Sequence, residues 1–293
     1  DLWQDHAVSN TRLLGHVGGT TSAIFFLNGK AYIGEGPQLT ILDTSNPATP
    51  LVLGHTLPFP DNVQGIFVDG AMAYVADGFS GLHVVNVADP AHPVEVGFYD
   101  TPGNAYAVYV SGATAYVADG SYGLRVINVA NPATPGEVGL YDTPGEARGV
   151  FIFGATAYVA DGFSGLRAVN VANPANPVEI GFYDTPGYAA GVHVIGATAY
   201  IADDNSGLRV VNVANPTNPV IGLTPGLHRL IGVALITRQC RGVLQLGRRW
   251  IDLIFLRRSS QYHTGSQQAE PRHQASEQGR RVEHHRRLLS MYG

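Results

Sequence analysis

Aspartates and aromatic residues recur at a fixed spacing and could together bind a ligand. Four aspartates lie 42 residues apart: Asp77, Asp119, Asp161 and Asp203. Three of them are followed, two or three positions later, by an aromatic residue: Phe79, Tyr122 and Phe163. Carboxylates accept hydrogen bonds, and aromatic faces stack on ligands and attract cations. These seven residues are therefore candidate contacts for a sugar or a cationic ligand.

The aspartates also have a purely structural interpretation. Asp77, Asp119 and Asp161 each precede Gly, and an Asp at such a position forms turns by hydrogen-bonding its own backbone. A turn-forming Asp would recur in every repeat without any ligand, and this interpretation is favoured for the column.

A basic column follows the aspartates at a spacing of six residues. It consists of His83, Arg125, Arg167 and Arg209. Each could pair with the carboxylate across a hairpin, which as a surface pair contributes about 0–1 kcal/mol. Recognition of an anionic group is the less favoured alternative.

All these residues belong to one repeating unit. Five units are centred on tyrosines spaced 42 residues apart: Tyr32, Tyr74, Tyr116, Tyr158 and Tyr200. Each unit has four short runs of β-forming residues separated by Gly- or Pro-containing segments. Four strands per 42 residues predict an all-β fold, a β-propeller with five recognisable four-stranded blades that form a closed or an incomplete ring.

One run in each unit resembles the core of the LVIVD repeat. An example is Leu124-Arg-Val-Ile-Asn-Val129, followed by Asn131-Pro132. The resemblance covers about residues 13–222 and implies a bacterial or archaeal β-propeller, often exported or displayed on the cell surface, with no general activity assigned. The Asp of the family core is Asn in four units, which argues against a metal site in this column. These residues are Asn86, Asn128, Asn170 and Asn212.

The chain starts out of phase with the repeat. Leu13-Leu-Gly-His16 matches the fourth run of a unit, such as Glu95-Val-Gly-Phe98, yet precedes the first unit. We expect this segment to complete the last blade if the ring closes.

Propeller topology predicts where a ligand would bind. The turns between strands two and three lie on the same face as the loops between blades, so the aspartate column and the Tyr-Asp pairs at 99–100, 141–142 and 183–184 share one face. Residues that break the repeat on this face are the stronger candidates, because ligands are commonly selected where loops differ. Glu146, Asp204 and Asn205 are of this kind, and so are the candidate binding residues Tyr106, Arg148 and Tyr188.

Catalytic motifs are absent from the sequence. It has no His-Glu-x-x-His, no Gly-x-Ser-x-Gly and no phosphate-binding glycine motif. We therefore expect no metal and no cofactor, and a non-enzyme is favoured. The alternative is a hydrolase or lyase whose composite site, at the central channel, draws on several blades and leaves no short motif.

Charge divides the chain into regions. Residues 1–222 carry a net charge of −13, whereas residues 223–293 carry +8 and hold 12 arginines. The predicted domains are an N-terminal extension at 1–12, the propeller at 13–222 and an arginine-rich tail at 223–293, which is either irregular or read in a shifted frame. The tail has no basic helix or aromatic platform, so nucleic acid is not an expected partner.

These observations lead to one expected function. We expect a non-catalytic binding or structural propeller outside the cell or on its surface, with a protein or carbohydrate partner on its acidic and aromatic face. No apolar run approaches the roughly 20 residues of a membrane span. An incomplete ring would expose apolar blade faces and promote self-association.

Overall fold

The structure is a computed structural model that describes residues 13–16 and 20–221. These residues lie in the first of two compact units, Asp1–Leu244. The second unit, Gln245–Gly293, lies outside the described residues. The predictions for the extension at 1–12 and the tail at 223–293 also fall outside them.

Within residues 20–221, twenty strands form five four-stranded antiparallel sheets, each built from consecutive strands. Blade 1 comprises β1 (Thr21–Leu27), β2 (Lys30–Glu35), β3 (Gln38–Asp43) and β4 (Leu51–His55). Blade 2 comprises β5 (Gly65–Asp69), β6 (Met72–Ala76), β7 (Leu82–Asn86) and β8 (Val94–Tyr99). Blade 3 comprises β9 (Ala107–Ser111), β10 (Thr114–Ala118), β11 (Leu124–Asn128) and β12 (Gly136–Tyr141).

Blade 4 comprises β13 (Gly149–Phe153), β14 (Thr156–Ala160), β15 (Leu166–Asn170) and β16 (Val178–Tyr183). Blade 5 comprises β17 (Gly191–Ile195), β18 (Thr198–Ala202), a 3-10 turn (Asp204–Ser206), β19 (Leu208–Asn212) and β20 (Val220–Ile221). The first strands of successive blades pack in chain order, β1 on β5, β5 on β9, β9 on β13 and β13 on β17. The predicted all-β architecture of four-stranded units is confirmed.

The central strands of blades 2 to 4 are apolar on both faces because each of these blades is packed between two neighbours. On β10, Ala115 and Val117 join a cluster with residues of blade 2, whereas Tyr116 joins a cluster with residues of blade 4. Alternate residues of one strand therefore belong to two different interfaces, and the run Ala115–Ala118 is buried throughout.

In blades 1 to 4 the outermost strand packs through a glycine on the next blade. A Cβ atom on Gly97 of β8 would lie 2.3 Å from the carbonyl oxygen of Pro132 in blade 3, and one on Gly139 would lie 2.1 Å from that of Pro174 in blade 4. Gly15 has the same relation to Pro47 of blade 1, at 2.1 Å. Residues 13–16 thus lie where the outermost strand of a blade preceding blade 1 would lie, as the sequence predicts. Their part in ring closure stays a prediction.

Blade 5 is less buried than the blade before it. Tyr158, Leu166 and Ala168 of blade 4 are buried by contacts with blade 5. The corresponding residues of blade 5, Tyr200, Leu208 and Val210, are half-buried. This apolar surface is the face on which self-association is predicted, and that prediction stays untested.

Candidate functional site

One face of the propeller carries the turns between the second and third strands and the loops that enter each blade. We call this surface the loop face. Its turns are residues 77–81, 119–123, 161–165 and 203–207, and its entering loops are 60–64, 100–106, 142–148 and 184–190. Each turn lies beside the loop that enters the same blade, because hydrogen bonds join them.

The aspartate column makes these hydrogen bonds. The Thr101 hydroxyl donates to Asp119 Oδ1 at 2.6 Å, and the Gly103 amide donates to Asp119 Oδ2 at 2.9 Å. Thr143 and Gly145 bond Asp161 in the same way, at 2.5 and 2.8 Å. The carboxylates therefore hold the entering loop, rather than bonding the backbone of their own turn as the sequence interpretation supposed.

All four aspartates are 0% exposed: Asp77, Asp119, Asp161 and Asp203. Burial raises the pKa of Asp119 and Asp161, because it removes water from the charged form. It raises the pKa of Asp77 to about 6. The structure gives these side chains a positioning role, and direct contact with a ligand stays a prediction for them.

Three members of the basic column, His83, Arg125 and Arg167, are buried, so their treatment as surface pairs was wrong, whereas Arg209 is half-buried. Arg125 is 6% exposed. Its guanidinium nitrogens lie 3.8 Å from Asp119, 3.6 Å from Glu137 and 3.7 Å from Asp142. Arg167 has the equivalent three partners in blade 4. These cations lie beneath the loop face and balance the buried carboxylates.

The three aromatic residues of the sequence prediction stand in solvent. Phe79 is 72% exposed, Tyr122 45% and Phe163 82%. Exposed aspartates lie against the same turns, since a Cβ atom on Gly123 or Gly165 would lie 2.9 Å from the Cα of Asp142 or Asp184. The side chains of these two aspartates are 71% and 67% exposed. The accessible acids of the loop face are thus different from the column that the sequence first indicates.

Tyr106, Arg148 and Tyr188 come together from three successive blades. The Arg148 guanidinium carbon lies 3.8 Å from the centre of the Tyr106 ring. Arg148 Nε donates to the Tyr188 hydroxyl at 2.5 Å, and this hydroxyl donates to Glu146 Oε2 at 2.5 Å. Arg148 Nη2 is 3.0 Å from Glu146 Oε1. The repeat-breaking residues therefore form one network, to which Glu146 adds a carboxylate.

A cleft of about 480 Å³ opens beside this network, between blades 4 and 5. Its lining includes Glu146, Arg148, Phe163, Tyr188, Asp204 and Asn205. The Phe163 and Tyr188 rings meet edge to face, with centres 5.0 Å apart. The volume lies within the range of roughly 300–1,000 Å³ that is typical of small-molecule sites.

The network favours hydrogen bonding over proton abstraction. Burial and the bond to Glu146 raise the pKa of Tyr188 to about 12, so its hydroxyl stays protonated at neutral pH. The pKa of Tyr106 is raised as well, chiefly by burial. Among residues 13–16 and 20–221, no group of three or more His, Cys, Asp or Glu is placed to hold a metal ion.

Another repeated feature was missed in the sequence. The first strand of every blade carries a ring at the same position: Phe25, Phe67, Tyr109, Phe151 and His193. Successive ring centres are 5.1, 4.7, 5.0 and 4.5 Å apart, which makes an unbroken series along the innermost strands. Burial lowers the pKa of His193 at its end. The 42-residue spacing of these rings is the signal that could have revealed them.

The family model for the LVIVD repeat matches the chain five times. The matched residues are 18–56, 60–101, 102–143, 144–185 and 186–224. No curated protein matches the chain. No helix in the described part of the chain is long and apolar enough to cross a membrane.

Solved structures resemble the chain in fold at low sequence identity. The β-propeller domain of Cps50 (Swd1) from Myceliophteria thermophila has a TM-score of 0.57 at 9% identity, over 67% of this chain and 66% of its own. The periplasmic gluconolactonase PpgL of Pseudomonas aeruginosa gives 0.56 at 14% identity, over 65% and 68%. The computationally designed protein Ika8 gives 0.54 at 6% identity, over 67% of this chain and 59% of its own length. These likenesses concern the fold alone.

Proposed function

The chain belongs to the LVIVD-repeat family, its repeats fold as β-propeller blades, and we propose that it is a non-catalytic module that binds carbohydrate on its loop face. Its proposed location is outside the cell or on the cell surface. That location rests on the family resemblance.

The observation that carries the proposal is the row of exposed aromatic side chains on three consecutive blades. Phe79, Tyr122 and Phe163 extend into solvent from turns whose aspartates are fully buried. The turn of blade 5 carries Asn205 in place of an aromatic residue. Exposed large apolar side chains clustered on one surface are typical of interaction sites.

Carbohydrate fits this surface because it can contact both the aromatic rings and the carboxylates. The C–H face of a sugar ring packs on an aromatic ring, and its hydroxyl groups donate hydrogen bonds to carboxylates such as Asp142 and Asp184. Both carboxylates are largely exposed. A protein partner with basic side chains would use the same two components, and it is the other outcome of the test below.

An enzyme with a composite site is the second candidate, favoured by the convergence of Glu146, Arg148 and Tyr188. Two features weigh against it. The Tyr188 hydroxyl is held protonated by a pKa of about 12, which is far from the neutral range that suits a general base. The Glu146 carboxylate is bonded by both Tyr188 and Arg148. Hydrolysis of gluconolactone, the substrate class named for the distant Pseudomonas structure, is the assay for this alternative, and we expect none.

The proposal is tested by applying the full chain to an array of immobilised oligosaccharides. The test variant replaces Phe79, Tyr122 and Phe163 by Ala. The control variant replaces Phe26 and Phe153 by Ala, since these rings are 51% and 47% exposed and lie at the opposite ends of their blades. We expect the wild type and the control variant to bind the same glycans on the array, and the triple variant to bind none of them.

If the wild type binds no glycan, or if the triple variant binds glycans as well as the wild type does, the proposal is overturned. Binding of lysine-rich peptides in place of glycans would assign the face to a protein partner. Melting temperatures of all variants verify that they fold.

A further inference from the structure

The cleft between blades 4 and 5 differs chemically from the rest of the loop face. Glu146 and Asp204 provide carboxylates, Arg148 provides a guanidinium and Asn205 provides an amide that both donates and accepts. Phe163 adds an apolar wall that is 82% exposed. Cation, anion, amide and aromatic ring thus border one volume.

This mixture of charges selects against charged ligands. A cationic ligand would meet Arg148, whose side chain is 30% exposed, and an anionic ligand would meet Glu146, which is 37% exposed, together with Asp204. An uncharged polyhydroxyl ligand is repelled by neither charge, because each hydroxyl group can accept from the guanidinium or donate to a carboxylate. The apolar face of such a ligand packs on the adjacent Phe163 ring.

The walls of the cleft are fixed before any ligand arrives. The Tyr188 ring lies against Gly162, where a Cβ atom would come within 3.0 Å of it. Arg148 is held between the ring of Tyr106 and the hydroxyl of Tyr188. Side chains immobilised in advance lose less conformational entropy on binding, which favours affinity.

Blade 5 departs from the repeat at this cleft. The position after the column aspartate is Gly78, Gly120 and Gly162 in blades 2 to 4, with φ between 58° and 61°, whereas blade 5 has Asp204 with φ 40°. A left-handed backbone disfavours residues with a Cβ, so this replacement costs of order 1 kcal/mol. The exchange places a carboxylate on the cleft at the expense of local stability, and strained exchanges of this kind concentrate at functional sites.

We infer that this cleft is the primary subsite of the loop face and that it takes an uncharged sugar residue. The assignment rests on the proposed carbohydrate-binding function and deepens it. Phe79 and Tyr122, on blades 2 and 3, then provide flanking contacts for the rest of a longer glycan.

The test uses two cleft variants of the full chain that keep the aromatic row intact. Asp204→Gly restores the residue found in the other blades, and Asn205→Ala removes the exposed amide. The matched control is Asn62→Ala, which removes an exposed amide from the entering loop of blade 2. The Gly variant relieves strain, so a loss of binding by it cannot be ascribed to misfolding.

The probes are the neutral tetra-N-acetylchitotetraose and mannotetraose, the cationic chitosan tetramer and the anionic tetragalacturonate, each titrated by calorimetry. We expect a neutral tetramer to bind, and each cleft variant to weaken it about tenfold, which corresponds to roughly 1.4 kcal/mol. Asn62→Ala should bind as the wild type does.

Two results would overturn the inference and leave the proposed function standing. One is neutral-glycan binding that the cleft variants retain and the triple aromatic variant loses. The other is a preference for a charged tetramer that depends on Asp204 or Asn205. Absence of glycan binding by the wild type, both here and on the array, would overturn the inference and the proposed function together.

Discussion

The Thr101 hydroxyl donates a 2.6 Å hydrogen bond to the fully buried carboxylate of Asp119. It joins the loop that leaves blade 2 to a turn inside blade 3, so it fixes the angle at which the chain enters the new blade. Blade 4 repeats the bond between Thr143 and Asp161. These bonds position the entering loops on which the candidate binding residues lie.

Loss of either threonine hydroxyl should destabilise the propeller. Thr101→Val and Thr143→Val each leave a buried carboxylate oxygen without its donor, at a cost of about 1.5–3 kcal/mol. Thr185→Val is the matched control, because the buried Thr185 Oγ1 has no hydrogen-bond partner within the described structure. Urea unfolding at pH 7 measures the free energy of unfolding of all three variants. If Thr185→Val and Thr143→Val lose equal stability, the hydroxyl–carboxylate bond is not the cause of the loss.

Stability should rise as the pH falls through the pKa of Asp77. This pKa is about 6 in the folded protein, raised from 3.8 mainly by burial. A raised carboxyl pKa means that the folded state binds the proton more tightly, so protonation between these two values favours folding. From pH 7.5 to pH 5 the contribution is roughly 1 kcal/mol.

Asp77→Asn isolates this effect, since the amide keeps an oxygen that can accept from the Asp61 amide. Unfolding free energies of both proteins are compared over the same pH range. The wild type should gain more on acidification than the variant. Parallel curves would exclude Asp77 as the titrating group.

The buried arginines should be needed chiefly to neutralise buried carboxylates. Arg125→Met leaves Asp119 charged at 0% exposure, which costs about 3–5 kcal/mol. Adding Asp119→Asn removes that charge and retains an oxygen that accepts from Thr101, so the double variant should be more stable than Arg125→Met alone. A double variant as unstable as the single one would mean that the aliphatic packing of Arg125 matters instead.

The fold could be predicted because the sequence pattern of each strand and turn recurs in five units. The spacing of Tyr116 and Gly123, and the breakers between runs, specify four strands whatever the identity of single residues. Burial was harder to predict. An Asp before Gly indicates a turn, but only the packing of one loop on another decides whether Asp119 faces solvent or the interior.

The sequence indicates the residues of the candidate site but not how they are arranged in space. Tyr106, Arg148 and Tyr188 stand out because each differs from the residue at the same position of the other units. Their contact depends on how far successive blades are rotated, which no single sequence encodes as a pattern. Asp204 is indicated by the sequence in the same way, since it occupies a position that is Gly in three other blades.

The segment Leu13–His16 should contribute to stability as an outermost strand does. Gly15 lies on Pro47 as Gly97 lies on Pro132: a Cβ atom on either glycine would lie only 2.1 or 2.3 Å, respectively, from the proline carbonyl oxygen. Gly97→Ala forces the two backbones apart and should cost about 1–3 kcal/mol. Gly15→Ala should cost a similar amount, because the obstacle is again a backbone carbonyl. Gly136→Ala, where nothing lies within 4 Å of a Cβ atom, is the control and should stay within about 0.5 kcal/mol of the wild type. Thermal unfolding of the three variants measures these differences. If Gly15→Ala behaves like Gly136→Ala while Gly97→Ala unfolds early, the segment is not seated on blade 1, and its assignment to a further blade is wrong.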